Sequence, residues 1–156
     1  MAASVPDQPT LPHTWRPYGA RLVGTVLGGL LLVLVVAVWI AWGAEVRSRF
    51  TLLQRSTLVG LGVLAFVGWY ALVRSRVTAD ASGVTVVNGY SRRVLEWSQV
   101  LSVNLRRGAP WAGLDLSDGT SIALFAIQGS DGDRAVRAVR ELRALVAAQT
   151  PTDRDD

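Results

Sequence analysis

The chain contains no cysteine and no lysine, and it has a single histidine and a single methionine in 156 residues. Without cysteine there is no disulfide framework, no thiolate nucleophile and no thiolate metal site. The lone histidine, His13, sits in a Pro-rich leader. A serine or threonine nucleophile in the body of the chain therefore lacks a histidine base, and a metal site would need carboxylates alone, which do not cluster suitably. No G-x-S-x-G, no phosphate loop ending in Gly-Lys-Ser/Thr and no pair of histidines at ligand spacing occurs. No catalytic residue, cofactor or metal is expected, and the chain is not read as an enzyme.

The missing lysine leaves arginine as the whole basic side, 16 residues against 12 acidic ones, for a net charge of +4. An Arg-only chain rich in Ala, Val and Gly has the composition of a GC-rich genome, so the bias itself carries no function. A basic excess is compatible with nucleic acid. Here the arginines are not interleaved with exposed aromatics as a single-strand platform requires, and no nucleic-acid partner is expected. Their positions fit helix ends and lipid surfaces better.

What the chain has in excess is apolar sequence, 50% of all residues, concentrated between positions 22 and 73. Leu22–Trp42 runs 21 residues without a charge, with Arg21 at one end and Trp39 and Trp42 at the other. At about 1.5 Å per residue it crosses roughly 30 Å of hydrocarbon. Ser56–Val73 is a second apolar run, bounded by Arg55 and by Arg74 and Arg76, with Trp69 and Tyr70 near its end. It lacks the polar face of a soluble helix. Two transmembrane helices, about 22–42 and 56–73, are expected. The first is too long for a signal-peptide core, and the leader before it is long, so cleavage at Ala41–Ala44 is not expected.

Two spans place both termini on one side. Arg16, Arg21, Arg74 and Arg76 flank that side, against Arg47, Arg49 and Arg55 in the connecting loop. This favours cytoplasmic N- and C-termini at the inner (plasma) membrane. Gly24 and Gly28 form a G-x-x-x-G in the first span. That spacing serves close packing of the two spans, and a homo-oligomer through Gly24 and Gly28 is the alternative.

After Arg76 the period changes to two. Val77 and Ala79 precede a turn at Asp80–Gly83, and Val84, Val86 and Val87 precede Asn88-Gly89, a strong hairpin signal. Further strands are read at "RRVLEWSQV", at Leu101–Leu105, and at a hairpin of Trp111–Leu116 and Ser121–Ile127 around Asp118-Gly119. Six strands result, arranged as a small antiparallel barrel or sandwich. A C-terminal amphipathic helix follows, with Val136, Val139, Leu142 and Val146 on one stripe, a capping-box-like start at Ser130 and Asp133, and an Arg137–Glu141 pair. The parts are a polar leader (1–21), the two helices (22–73), an α+β domain (74–149) and a disordered tail (150–156).

Strands closed by one amphipathic helix, together with D-x-x-G-V at Asp80, Gly83 and Val84, "VLEWSQV" and the Asp118-Gly119 hairpin, carry a specific likeness. Over residues 15–148 the chain resembles the bacterial PH-domain membrane proteins of actinobacteria, the low-molecular-weight protein antigen 6-like family. The resemblance implies a PH-like fold behind two membrane helices, and its motifs speak to fold rather than activity. A full PH fold has seven strands. Either one is hidden near Arg74–Ala79, or the domain is abbreviated.

Asp115 and Asp118 lie close in sequence, but Asp118-Gly119 reads as a turn, and Asp131 and Asp133 read as a helix start. The candidate contact residues are Arg74, Arg76, Arg92, Arg93, Arg106 and Arg107, six arginines in the 34 residues that follow the second span. Near an anionic leaflet each exposed arginine is worth about 1 kcal/mol; the plainer account is solvated charge that sets topology. Trp111 either packs over the end of the β-structure, which is favoured, or sits exposed at the membrane. Trp97 is read as a core anchor at a bend between two strands. The expected function is a membrane-anchored, non-catalytic module that docks an unknown protein partner or organises a complex. The alternative is a module that recognises anionic lipid headgroups through its Arg-bearing loops.

Overall fold

The computed structural model describes residues 9–149. The order is β1 (His13–Trp15), α1 (Tyr18–Ala41), α2 (Ala44–Ser48), α3 (Leu52–Arg74), β2 (Arg76–Asp80), β3 (Gly83–Asn88), β4 (Ser91–Glu96), β5 (Val100–Asn104), β6 (Trp111–Leu116), β7 (Ser121–Gln128) and α4 (Asp133–Gln149). Short 3-10 turns at Trp97–Gln99 and Gly129–Asp131 precede β5 and α4. The tail at 150–156 lies outside the described residues.

Helices α1 and α3 are 24 and 23 residues long, with mean hydropathies of 2.7 and 1.9. Each is long and apolar enough to cross a membrane, and neither span window has a buried residue. The core helix of a soluble domain would bury such a surface. Both begin a turn earlier than the apolar runs suggested, at Tyr18 and Leu52. Polar flanks can be helical when capped. Thr51 and Gln54 form a reciprocal capping box at α3, and the Asp131 carboxylate accepts from the Tyr18 and Gly19 amides at α1. A Cβ at Gly24 would stand 3.2 Å from the Trp69 ring, whereas Gly28 faces open space. Gly24 thus serves the packing of α1 on α3. At the far end Trp39, Trp42 and Phe50 pack together across the loop, Phe50 stacked on Trp42 and edge-on to Trp39.

The β-structure is two separate antiparallel sheets, β1-β2-β3-β4 and β5-β6-β7, so a closed barrel is not formed. Seven strands are present among the described residues, and the seventh is neither hidden near Arg74–Ala79 nor missing. It is β1, drawn from the segment read as a polar leader. His13, Thr14 and Trp15 pair with Ala79, Thr78 and Val77 of β2. Trp15 is buried in the common core, and its Nε1–H donates to Glu141 Oε2 at 2.9 Å. The domain is therefore discontinuous, with the whole α1–α3 hairpin inserted between its first two strands.

Trp97 stands at the bend between β4 and β5, 6% exposed, and its Nε1–H donates to the Asp80 carbonyl at 3.0 Å. Asn88 joins the sheets: its side chain donates to Ala123 O and accepts from Phe125 N of β7. Helix α4 buries Ala135, Ala138, Val139, Leu142, Leu145 and Val146, while Val136 is exposed. The buried stripe thus includes Ala135 and Ala138 in place of Val136. No Ser130 cap forms: Gly132, at φ 58°, separates the 3-10 turn from α4, and Asp131 is engaged at α1. Nor do Arg137 and Glu141 pair; Glu141 instead meets Trp15 and lies 3.9 Å from His13.

Candidate interaction site

The two ends of the helical hairpin enter the domain side by side, and this sets the surroundings of the arginines. Arg74 ends α3 and Arg76 begins β2, both exposed, on either side of the buried Ser75. The Ser75 hydroxyl donates to Ala71 O and accepts from Gly89 N, locking the β3–β4 turn to the foot of α3. Gly89 has a φ of 57° and lies against Ala71, so a side chain there meets strain and crowding together. Tyr90 adds a hydrogen bond from its hydroxyl to Val67 O. Register then sets Arg76, Val87 and Arg92 in one row across β2, β3 and β4. At about 4.8 Å per strand, the Arg76 and Arg92 backbones are roughly 10 Å apart.

Arg106 and Arg107 are exposed in the β5–β6 loop, which closes through Ala109 N to Arg106 O. Gly129 N donates to Pro110 O, joining this loop to the turn whose Asp131 caps α1. The loop thus belongs to the end of the domain that faces the hairpin. Trp111 follows it, its ring tilted against Phe125 with centroids 4.8 Å apart yet 42% exposed, so packing and exposure are both realised. Among the described residues, none of the six arginines takes part in an ion pair.

Arg93 differs from the other five. It pairs in register with the core residue Val86, so it stands on the inner side of the edge strand β4. There a cavity of about 440 Å³ opens between Arg92–Leu95 of β4 and a wall made by Gln99, Leu116, Ser117 and Asp118. The wall is held by Ser117 N donating to Gln99 O. The Thr120 hydroxyl and amide hold the Asp118 carboxyl below the ordinary carboxylate range, with Arg93 adding to the effect. Asp115 is bonded by Ser102 and Asn104, away from Asp118, so the two form no acid–base pair. No group of three or more potential metal ligands occurs among the described residues.

From sequence Asp131 reads as the start of the final helix rather than a cap on α1, and Arg134 is missed, its guanidinium lying 4.0 Å from the centre of the Tyr18 ring. Both act on a helix more than a hundred positions earlier, and no local pattern signals that. The cavity was also missed, because it needs the β6–β7 turn to come beside β4.

Compared with known proteins, residues 74–145 match the bacterial PH domain family. The chain is 34% identical to the uncharacterised proteins Mb1452 of Mycobacterium bovis and Rv1417 of Mycobacterium tuberculosis. Each alignment runs over 149 residues, 90% of this chain and 88% of the relative. The chain belongs to the bacterial PH domain family. The matched span holds β2 to β7 and most of α4 and leaves out β1, so the strand that completes this bacterial PH domain lies outside its family signature. No solved structure matches the chain.

Proposed function

We propose that this chain is a non-catalytic interaction module, a bacterial PH domain fixed to the cytoplasmic face of the plasma membrane by its own inserted hairpin. The observation that carries this reading is the pairing of β1 with β2 on either side of the hairpin. Such pairing requires both ends of the hairpin to emerge on one side, as two crossings give. Arg16, Arg21, Arg74 and Arg76 stand at that end, against Arg47, Arg49 and Arg55 at the other, which supports a cytoplasmic domain. The β4 cavity and the arginines that form no ion pair among the described residues support a docking role toward a protein. Purification of the full chain from membranes, with its stable companions identified and quantified, tests the reading. A recurrent partner in stoichiometric amount is expected, and a chain that purifies only with lipid opposes it.

One observation favours a second reading. Arg74 and Arg76 join the hairpin to the domain, and Arg106 and Arg107 lie in the loop before the half-exposed Trp111, a loop tied to the turn that caps α1. Contact of these arginines with acidic headgroups follows if the bilayer is there. Replacing these four arginines by alanine should then weaken retention of the domain on phosphatidylglycerol surfaces without changing the fold.

A further inference from the structure

The edge of the first sheet at β4 is open. Among the described residues, strand β4 pairs only with β3. The Glu96 amide donates to the Gln99 side chain rather than to β3. That fixes the direction of alternate residues, since every second residue of an antiparallel strand turns its N–H and C=O the same way. Arg92 and Val94 thus point their amides and carbonyls away from β3, into the cavity bounded on the far side by Ser117 and Asp118. The side chains along this edge are two arginines that form no ion pair among the described residues and Val94, which is 63% exposed.

We propose that this slot binds an extended acidic segment of a partner protein, which adds to the sheet as a fifth strand beside β4. The Arg92 and Val94 backbones offer two donors and two acceptors at strand spacing, enough to fix a short segment and its register. Charge selects the occupant. Arg92 lies on the outer face and Arg93 on the inner, so acidic side chains on either face of the incoming strand meet a guanidinium. Asp118 opposes this only in part, because its carboxylate is already bonded by Thr120. The inference rests on the module reading above and names the chemistry of its partner.

The test uses the full chain in phosphatidylcholine nanodiscs and a blocked hexapeptide alternating aspartate and valine, followed by fluorescence anisotropy. Binding is expected, with increased hydrogen-exchange protection of the Arg92 and Val94 amides. Val94→Pro removes an outward amide without touching the β3 ladder, and should weaken binding about tenfold or more, as loss of a main-chain bond with its geometry does. N-methylation of alternate peptide amides should do the same against the unaltered protein, which guards against a folding defect. Arg92→Ala with Arg93→Ala should weaken binding at least about tenfold and flatten its salt dependence.

Failure to bind at millimolar peptide would overturn the proposal; the arginines then merely guard an edge against pairing. Equal binding of the N-methylated peptide would also overturn it, since contact would be charge alone. So would a result in which the two arginines alter only adhesion to phosphatidylglycerol nanodiscs. Companions that still co-purify with Val94→Pro leave the module reading standing and remove only the strand-edge site.

Discussion

Trp97 illustrates what one side chain reveals from sequence. Its apolar flanks and polar neighbours read as an anchor at a bend, and it is buried there with its indole N–H on the Asp80 carbonyl. Trp97→Phe should cost about 1 kcal/mol through the lost hydrogen bond, and Trp97→Ala about 3–5 kcal/mol through the cavity, both read by urea unfolding. Asp80 was legible as a turn residue. Its carboxylate accepts from the Ser82 hydroxyl and amide and from the Gly83 amide. The Ser82 bonds hold its pKa below 3.8. A carboxyl depressed in the folded state contributes stability that is complete above the unfolded value and lost as pH falls through the folded one. The melting-temperature gap between the wild type and Asp80→Asn should therefore be constant above about pH 5 and close as pH falls below the ordinary carboxylate value. Asp131, by contrast, could not be read. Its role depends on an amide 112 positions away, and capping rules find partners only within a turn.

Among the elements, the apolar runs, the alternating strands and the final helix were legible because each carries its own period. Strand β1 was not. It has three residues, His13–Trp15, between Pro12 and Pro17, and nothing in so short a stretch shows alternation. Its pairing depends on the hairpin returning the chain to the same place. This leads to a direct expectation for soluble fragments. Residues 9–16 joined to 76–149 by a short Gly-Ser linker should unfold in one cooperative transition. Residues 76–149 alone should be less stable by about 3 kcal/mol or more, as loss of a buried tryptophan implies. Within the hairpin, Gly24→Leu should push Trp69 aside and lower thermal stability in detergent, whereas Gly28→Leu should leave it unchanged.

For the whole molecule, the absence of cysteine makes topology measurable without background. Thr10→Cys, Ser48→Cys and Ser98→Cys place single thiols at exposed positions before, within and after the hairpin. An impermeant maleimide applied to intact spheroplasts should label Ser48→Cys alone, and all three after lysis. Labelling of Thr10→Cys or Ser98→Cys in intact spheroplasts, or protection of Ser48→Cys there, would refute the proposed arrangement. The slot beside β4 also belongs to this scale. The sequence held its arginines in plain view but could not show that the β6–β7 turn, some 25 positions later, forms the opposite wall.

The insertion of the hairpin between β1 and β2 has a consequence for biogenesis. On the proposed topology, β1 leaves the ribosome first and must wait while both spans are threaded, because its partner at Val77 is made 62 residues after Trp15. On that topology the sheet closes only when both hairpin ends have come to lie on one side of the bilayer. A molecule whose second span stalls leaves β1 and β2 on opposite sides of the bilayer, with Trp15 unburied and Glu141 without its indole donor. Completion of the core would, on that topology, act as a checksum on threading: a chain whose second span fails to cross cannot pair β1 with β2 or bury Trp15.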